Sequence, residues 1–149
     1  MKIIENFESS LNFEKLKNFD IQKTKVFKYI TYKKRTEQEV RNKFRGQIEE
    51  DMLDEIIEYL KEAKYLDDYD FIERQVREYI NLKTMSIKEM KYKLMAKGLD
   101  RKLIEQYIDK NYEELNEYEA RCVDKIRKKR ADLSEEEIKQ YLYRKGYQI

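Results

Sequence analysis

Only three glycines occur in this chain, Gly46, Gly98 and Gly146, and each closes a copy of one helix-opening pattern. The openers are Thr36-Glu37-Gln38-Glu39, Ser86-Ile87-Lys88-Glu89 and Ser134-Glu135-Glu136-Glu137. In each, the hydroxyl can accept from the backbone N–H three residues on, while the Glu reaches back to the first residue's own N–H. This reciprocal capping box satisfies donors that a new helix leaves free. Apolar residues four apart follow in every copy, as Val40 and Phe44, Met90 and Leu94, and Ile138 and Leu142, so that each pair lies on one helical face. A glycine at the end reads as a left-handed C-cap. A single box is a weak signal, but three in register predict an internal helical repeat of about 50 residues.

The chain has 149 residues, 43% of them charged and none of them proline, a composition of long exposed helices. No β-like alternation and no Asn-Gly or Asp-Gly hairpin signal interrupts it. No apolar run approaches the roughly 20 residues of a membrane span, and Met1-Lys2-Ile3-Ile4-Glu5 lacks the apolar stretch of a signal peptide, so a cytoplasmic location is expected. A leader over 1–19 is expected to precede a three-helix repeat over 20–66, a second over 67–111 and an incomplete third over 112–149. The weak periodicity of Leu11, Leu16 and Phe19 predicts a short leader helix, and Asp20 is the expected N-cap of a helix running to Tyr32. Met52, Leu53, Ile56, Ile57 and Leu60 form the apolar stripe of the third helix. In the second repeat, Asp67 or Asp68 caps a helix with Phe71, Ile72, Val76, Tyr79 and Ile80 inward. Asp100 caps another, with Leu103, Ile104, Tyr107 and Ile108 buried. Leu115, Tyr118, Cys122 and Ile126 mark the long helix of the third.

Catalytic machinery is scarce. There is no histidine to act as a base near neutrality, and Cys122, the one cysteine, sits on an apolar stripe as a small core residue. No phosphate-cradling G-x-x-x-x-G-K-[ST] occurs. Asp67-Asp68-Tyr69-Asp70 fails the spacing of a calcium loop and reads as helix capping. No metal or cofactor is therefore expected, and the chain is read as a non-enzyme. Charge, by contrast, alternates along the chain: seven basic and three acidic residues over 26–49, two and ten over 50–73, nine and three over 74–102, two and seven over 103–124, eight and four over 125–149. Basic blocks interleaved with tyrosines could track a nucleic-acid backbone or an acidic protein surface, or simply be the solvated faces of long helices.

The order of these features resembles the bacterial recombination regulator family RecX. The segment from Tyr29-Ile30-Thr31-Tyr32 through Lys33-Lys34-Arg35 to Thr36-Glu37-Gln38-Glu39-Val40 is similar to that family's aromatic, basic, Ser/Thr-x-x-Glu opener. Leu66-Asp67-Asp68-Tyr69-Asp70-Phe71, Leu94-Met95-Ala96-Lys97-Gly98-Leu99 and Tyr141-Leu142-Tyr143-Arg144-Lys145-Gly146-Tyr147 resemble three further family segments, in order. Two departures stand beside these matches: the family's final helix is missing, and Gly46 follows its box two residues sooner than the other glycines do.

The fold expected is all-α, a curved array of tandem three-helix repeats with the last unit lacking its final helix. The resemblance implies a monomeric, non-enzymatic modulator of the RecA recombinase. It would bind the filament of protein and single-stranded DNA, with direct DNA contact open, and limit recombinase, ATPase and co-protease activity. The expected contact residues are Lys33, Lys34, Arg35, Arg41 and Lys43 in the first repeat and Lys88, Lys91, Lys93 and Lys97 in the second. A stand-alone nucleic-acid-binding module and a helical scaffold using an apolar patch are the two rival readings.

Overall fold

A computed structural model describes the backbone of residues 2–148 and the side chains from Ser10 to Gln148. Eight helices follow in order: α1 (Lys2–Tyr32), α2 (Glu37–Phe44), α3 (Glu50–Glu62), α4 (Asp68–Leu82), α5 (Ile87–Ala96), α6 (Arg101–Lys110), α7 (Tyr112–Lys129) and α8 (Glu135–Arg144). No strand forms among the described residues, and the expected all-α class holds. The chain divides into two compact units, residues 1–67 and 68–149, each with a core of its own.

The break expected at Asp20 is absent, because α1 runs through it as one helix of 31 residues. Nothing in the segment ends a helix: it holds neither proline nor glycine. Asp20 is satisfied inside the helix, its carboxylate 3.5 Å from Lys23 and its carbonyl accepting the Thr24 hydroxyl at 2.8 Å. The leader residues Leu11 and Leu16 are exposed, and among the described side chains of α1 Phe19 is the first packed against the core.

In the first unit, Val26 and Ile30 of α1 face Val40 and Phe44 of α2 and Leu53, Ile56, Ile57 and Leu60 of α3. Ile56, Ile57 and Leu60 are fully enclosed, each worth roughly 1.5–3 kcal/mol relative to exposure. Truncating Ile57 to Ala would remove about 2–5 kcal/mol. Lys64, at φ 63°, is a non-glycine left-handed residue that ends α3 and turns Leu66 back onto the Leu60 carbonyl.

The second unit holds α4 to α8, and one core joins Ile72, Met90 and Ile104, from the segment expected to be the second repeat, to Leu115, Cys122, Ile138 and Leu142, from that expected to be the third. Tyr118 reaches from α7 to donate to the Lys83 carbonyl just past α4. Glycine and box behave largely as the pattern predicts. The φ angles of Gly46, Gly98 and Gly146 are 80°, 84° and 87°. After α8, the Tyr147 N–H bonds the Leu142 carbonyl at 3.0 Å and the Gly146 N–H bonds Tyr143, a Schellman turn that α5 repeats through Leu99 and Gly98. Gly46 differs. It follows Arg45 at φ −59°, ψ 126° in a turn closed by the Gln47 N–H on the Phe44 carbonyl, the type II arrangement that wants glycine in third place. The shorter α2 and this turn account for the early first glycine.

Complete capping boxes form at Thr36 and Ser134, where Glu39 and Glu137 return their carboxylates to the N-cap amides at 3.2 and 3.3 Å. At Ser86 the box is half-made. The Ser86 Oγ accepts from the Glu89 N–H at 3.1 Å, but the Glu89 carboxylate turns to Lys93 instead. The neighbouring Ile87 N–H is taken by Glu119 of α7, and the Ser86 hydroxyl donates across the unit to the Lys145 carbonyl at 2.6 Å.

Candidate basic interaction surfaces

In the first unit the expected contact residues separate by role. Lys33 and Lys34 lie exposed on the short connection between α1 and α2. Arg35 does not project. Its guanidinium carbon stacks 4.3 Å from the centre of the Tyr29 ring, it sits 3.8 Å from Glu39, and its side chain is only 19% exposed. Lys43, exposed on α2, approaches the same ring at 5.9 Å, and Phe44 meets that ring edge-on at 5.6 Å. Tyr29 thus gathers Arg35 and Lys43 at one place. Arg41 is set apart from them, bound to Asp54 of α3 at 2.5 Å and to Glu37 at 3.7 Å. The Asp54 hydrogen bond holds its pKa above the usual arginine value, although partial burial pulls the other way. Arg41 therefore braces α2 against α3, as does Lys61, which sits 3.5 Å from Glu37 and is raised by that charge.

In the second unit the four expected lysines of α5 fall into two pairs. Lys88 and Lys91, three apart, line one cleft of about 460 Å³ with Tyr112 and Asn116. Lys93 lies 4.0 Å from Glu89, and Lys97 approaches the Phe71 ring at 5.8 Å. At 100° per residue Lys93 and Lys97 fall on the opposite side of α5 from Lys88 and Lys91. One helix therefore offers two basic edges rather than one stripe.

Two further features had not been singled out from the sequence. A cleft of about 410 Å³ opens between the end of α7 and α8, lined by Lys125, Lys129, Arg130 and Lys145 with Tyr141 and a single carboxylate, Glu89. Its basic residues were visible as a charge block, but their convergence depends on how α8 folds back on α7. The other is Glu119, a carboxylate only 4% exposed. Its two oxygens accept from the Ile87 N–H at 3.1 Å and the Gln148 N–H at 2.7 Å, tying the start of α5 to the chain end. The sequence does carry a signal for it: Glu119 follows Leu115 by four and precedes Cys122 by three, an acid at a core position of α7. Buried tyrosines complete the surroundings. Burial pushes the phenols of Tyr118 and Tyr147 well above the ordinary tyrosine range, with the Cys122 thiol adding to both.

Among the described residues, no group of three or more His, Cys, Asp or Glu side chains is arranged to hold a metal ion. Nor, among the described residues, is any helix long and apolar enough to cross a membrane.

No protein-family model matches the chain. Among curated proteins it is similar to the regulatory protein RecX of Staphylococcus carnosus, at 30% identity over 96% of this chain and 64% of that protein, and to the regulatory protein RecX of Staphylococcus aureus, at 28% over 91% and 52%. The chain thus spans between half and two thirds of these relatives' length. Among solved structures, RecX from Lactobacillus salivarius matches with a TM-score of 0.76 at 27% identity, covering 89% of this chain and 90% of that one. A second crystal structure, of a regulatory protein RecX, matches at 0.68 and 21% identity and supports the fold alone. Over nearly its whole length in sequence, and in its fold, the chain is similar to the RecX regulatory proteins.

Proposed function

We propose that this protein binds the RecA nucleoprotein filament and restrains its recombinase, ATPase and co-protease activities, acting as a non-enzymatic regulator. The observation that carries the proposal is the kinship to proteins named as regulatory RecX over nearly the whole chain. Surface chemistry supports it. Lys33, Lys34, Lys43, Lys88, Lys91, Lys93 and Lys97 are the cations proposed to meet the filament, while Arg35 and Arg41 act behind them, shaping the first unit through Tyr29 and Asp54. A filament presents both DNA phosphates and acidic protein side chains, and lysines on flexible stems adapt to either.

The test is retention of the purified protein on RecA filaments assembled on single-stranded DNA, compared with RecA alone and DNA alone. Retention on the filament that weakens as salt rises is expected. Equal recovery with and without RecA would overturn the proposal and favour a stand-alone nucleic-acid module.

A further inference from the structure

We infer that α7 and α8 form a binding track for single-stranded nucleic acid, in which Arg121, Lys125 and Lys129 take successive backbone phosphates and Tyr141 takes a base. The inference deepens the filament reading and rests on it for the source of the strand.

Three observations carry it. The first is spacing. Arg121, Lys125 and Lys129 are four apart on α7, so they form one row with steps of about 6 Å along the helix. That row runs through two adjoining clefts. Lys125 lines both the 410 Å³ cleft with Lys129 and a smaller one of about 250 Å³ with Arg121.

The second observation is pairing. Arg127, Lys128 and Arg130 each have a carboxylate partner, in Glu135, Asp124 and Asp132. None of Arg121, Lys125 and Lys129 forms an ion pair among the described residues, and all three are exposed. Like charges four apart repel one another on a helix, and an anion laid along the row would relieve that repulsion. Glu89 is the one carboxylate in the larger cleft, and it is turned toward Lys93.

The third is the aromatic floor. Tyr141 is half-buried, with the Arg130 guanidinium carbon and the Lys145 ammonium each 5.8 Å from its ring centre. A ring bordered by cations suits a base whose phosphate lies beside it. A volume of about 410 Å³ lies within the range of pockets that hold small ligands, which leaves room for a nucleotide. Lys145 is steadied there because its carbonyl accepts the Ser86 hydroxyl.

The experiment is fluorescence anisotropy of a labelled oligothymidylate with the full chain, without RecA, across a salt series. A Lys125→Ala/Lys129→Ala variant with unchanged helicity is expected to bind at least tenfold more weakly. Its log–log salt slope should be shallower by about 1.4, two phosphate contacts on a single strand. Tyr141→Leu should weaken binding roughly tenfold and leave the slope unchanged. Wild-type and double-variant curves that coincide, or no wild-type binding, would overturn the inference. So would unchanged oligonucleotide binding in a double variant that no longer binds RecA, since the clefts would then hold a protein. Suppression of RecA ATP hydrolysis by the wild-type chain is measured alongside. Its absence, with the oligonucleotide results as expected, would reject the filament reading and keep the track.

Discussion

Removing the Glu119 carboxylate should loosen the second unit more than any surface change on the same helix. The side chain is 4% exposed and accepts two backbone amides, from Ile87 at 3.1 Å and Gln148 at 2.7 Å. A bond to a charged acceptor contributes roughly 1.5–3 kcal/mol, and an amide left buried without a partner loses a similar amount. Water entering the space left in Glu119→Ala recovers part of this, so a loss of about 3 kcal/mol is expected. Glu119→Gln keeps the volume and one acceptor but turns an NH2 toward the second amide, for a loss of about 2 kcal/mol. Exposed Glu117, on the same helix, serves as control, and its alanine variant should stay within about 0.5 kcal/mol of wild type. Urea unfolding followed by far-ultraviolet circular dichroism reads the difference. With a slope of about 1.5 kcal/mol/M, the Glu119→Ala midpoint should fall by about 2 M, and hydrogen exchange should quicken at the Ile87 and Gln148 amides. Equal midpoints for Glu119→Ala and Glu117→Ala would refute the clasp.

Other consequences separate structural from surface roles. Gly146→Ala places a Cβ 3.0 Å from the Ser86 Oγ and 3.1 Å from the Lys88 Cβ at φ 87°, whereas Gly46→Ala meets nothing within 4 Å at φ 80°. Both carry the left-handed backbone cost of about 1–2 kcal/mol, so thermal melts should show Gly146→Ala as the more destabilised. Tyr147 is neutral in the fold to well above the pH near 10 at which the unfolded phenol ionises, so its contribution is intact below about pH 10 and is lost as pH rises beyond it. Tyr147→Phe should therefore shift alkaline unfolding to higher pH, and an unchanged alkaline limb would contradict this. Arg41→Ala should lower stability by at most about 1 kcal/mol, as its side chain is a third exposed, and should leave filament retention in place. Loss of retention with an unchanged melt would make Arg41 a contact residue.

What the sequence discloses here is local, and what it conceals is contact between distant segments. The boxes at Thr36 and Ser134, the left-handed glycines and the apolar stripes of α3, α4 and α6 are set by residues within four positions of one another. The unbroken α1 was missed because Asp20 is a good N-cap in isolation but loses that role where the preceding residues also favour helix. Ser86 shows the limit most directly. Its box reads like the others, yet its hydroxyl bonds Lys145, 59 residues away, and Glu119 takes the amide beside it. Among the basic residues, counting charge identified the blocks. It could not distinguish Arg41, held by Asp54, from exposed Lys43, or show that Lys125, Lys129 and Lys145 converge around Tyr141.

The most direct measurement of the regulatory claim is steady-state ATP hydrolysis by RecA on single-stranded DNA as this chain is titrated in. The rate should fall to a plateau at low salt and recover as salt rises from about 50 to 200 mM, the range over which phosphate contacts weaken. Lys33→Glu/Lys34→Glu should require more protein for the same suppression while melting with the wild type. A hydrolysis rate unchanged at any ratio of chain to RecA, with the chain folded, would contradict the proposal that this protein restrains the filament.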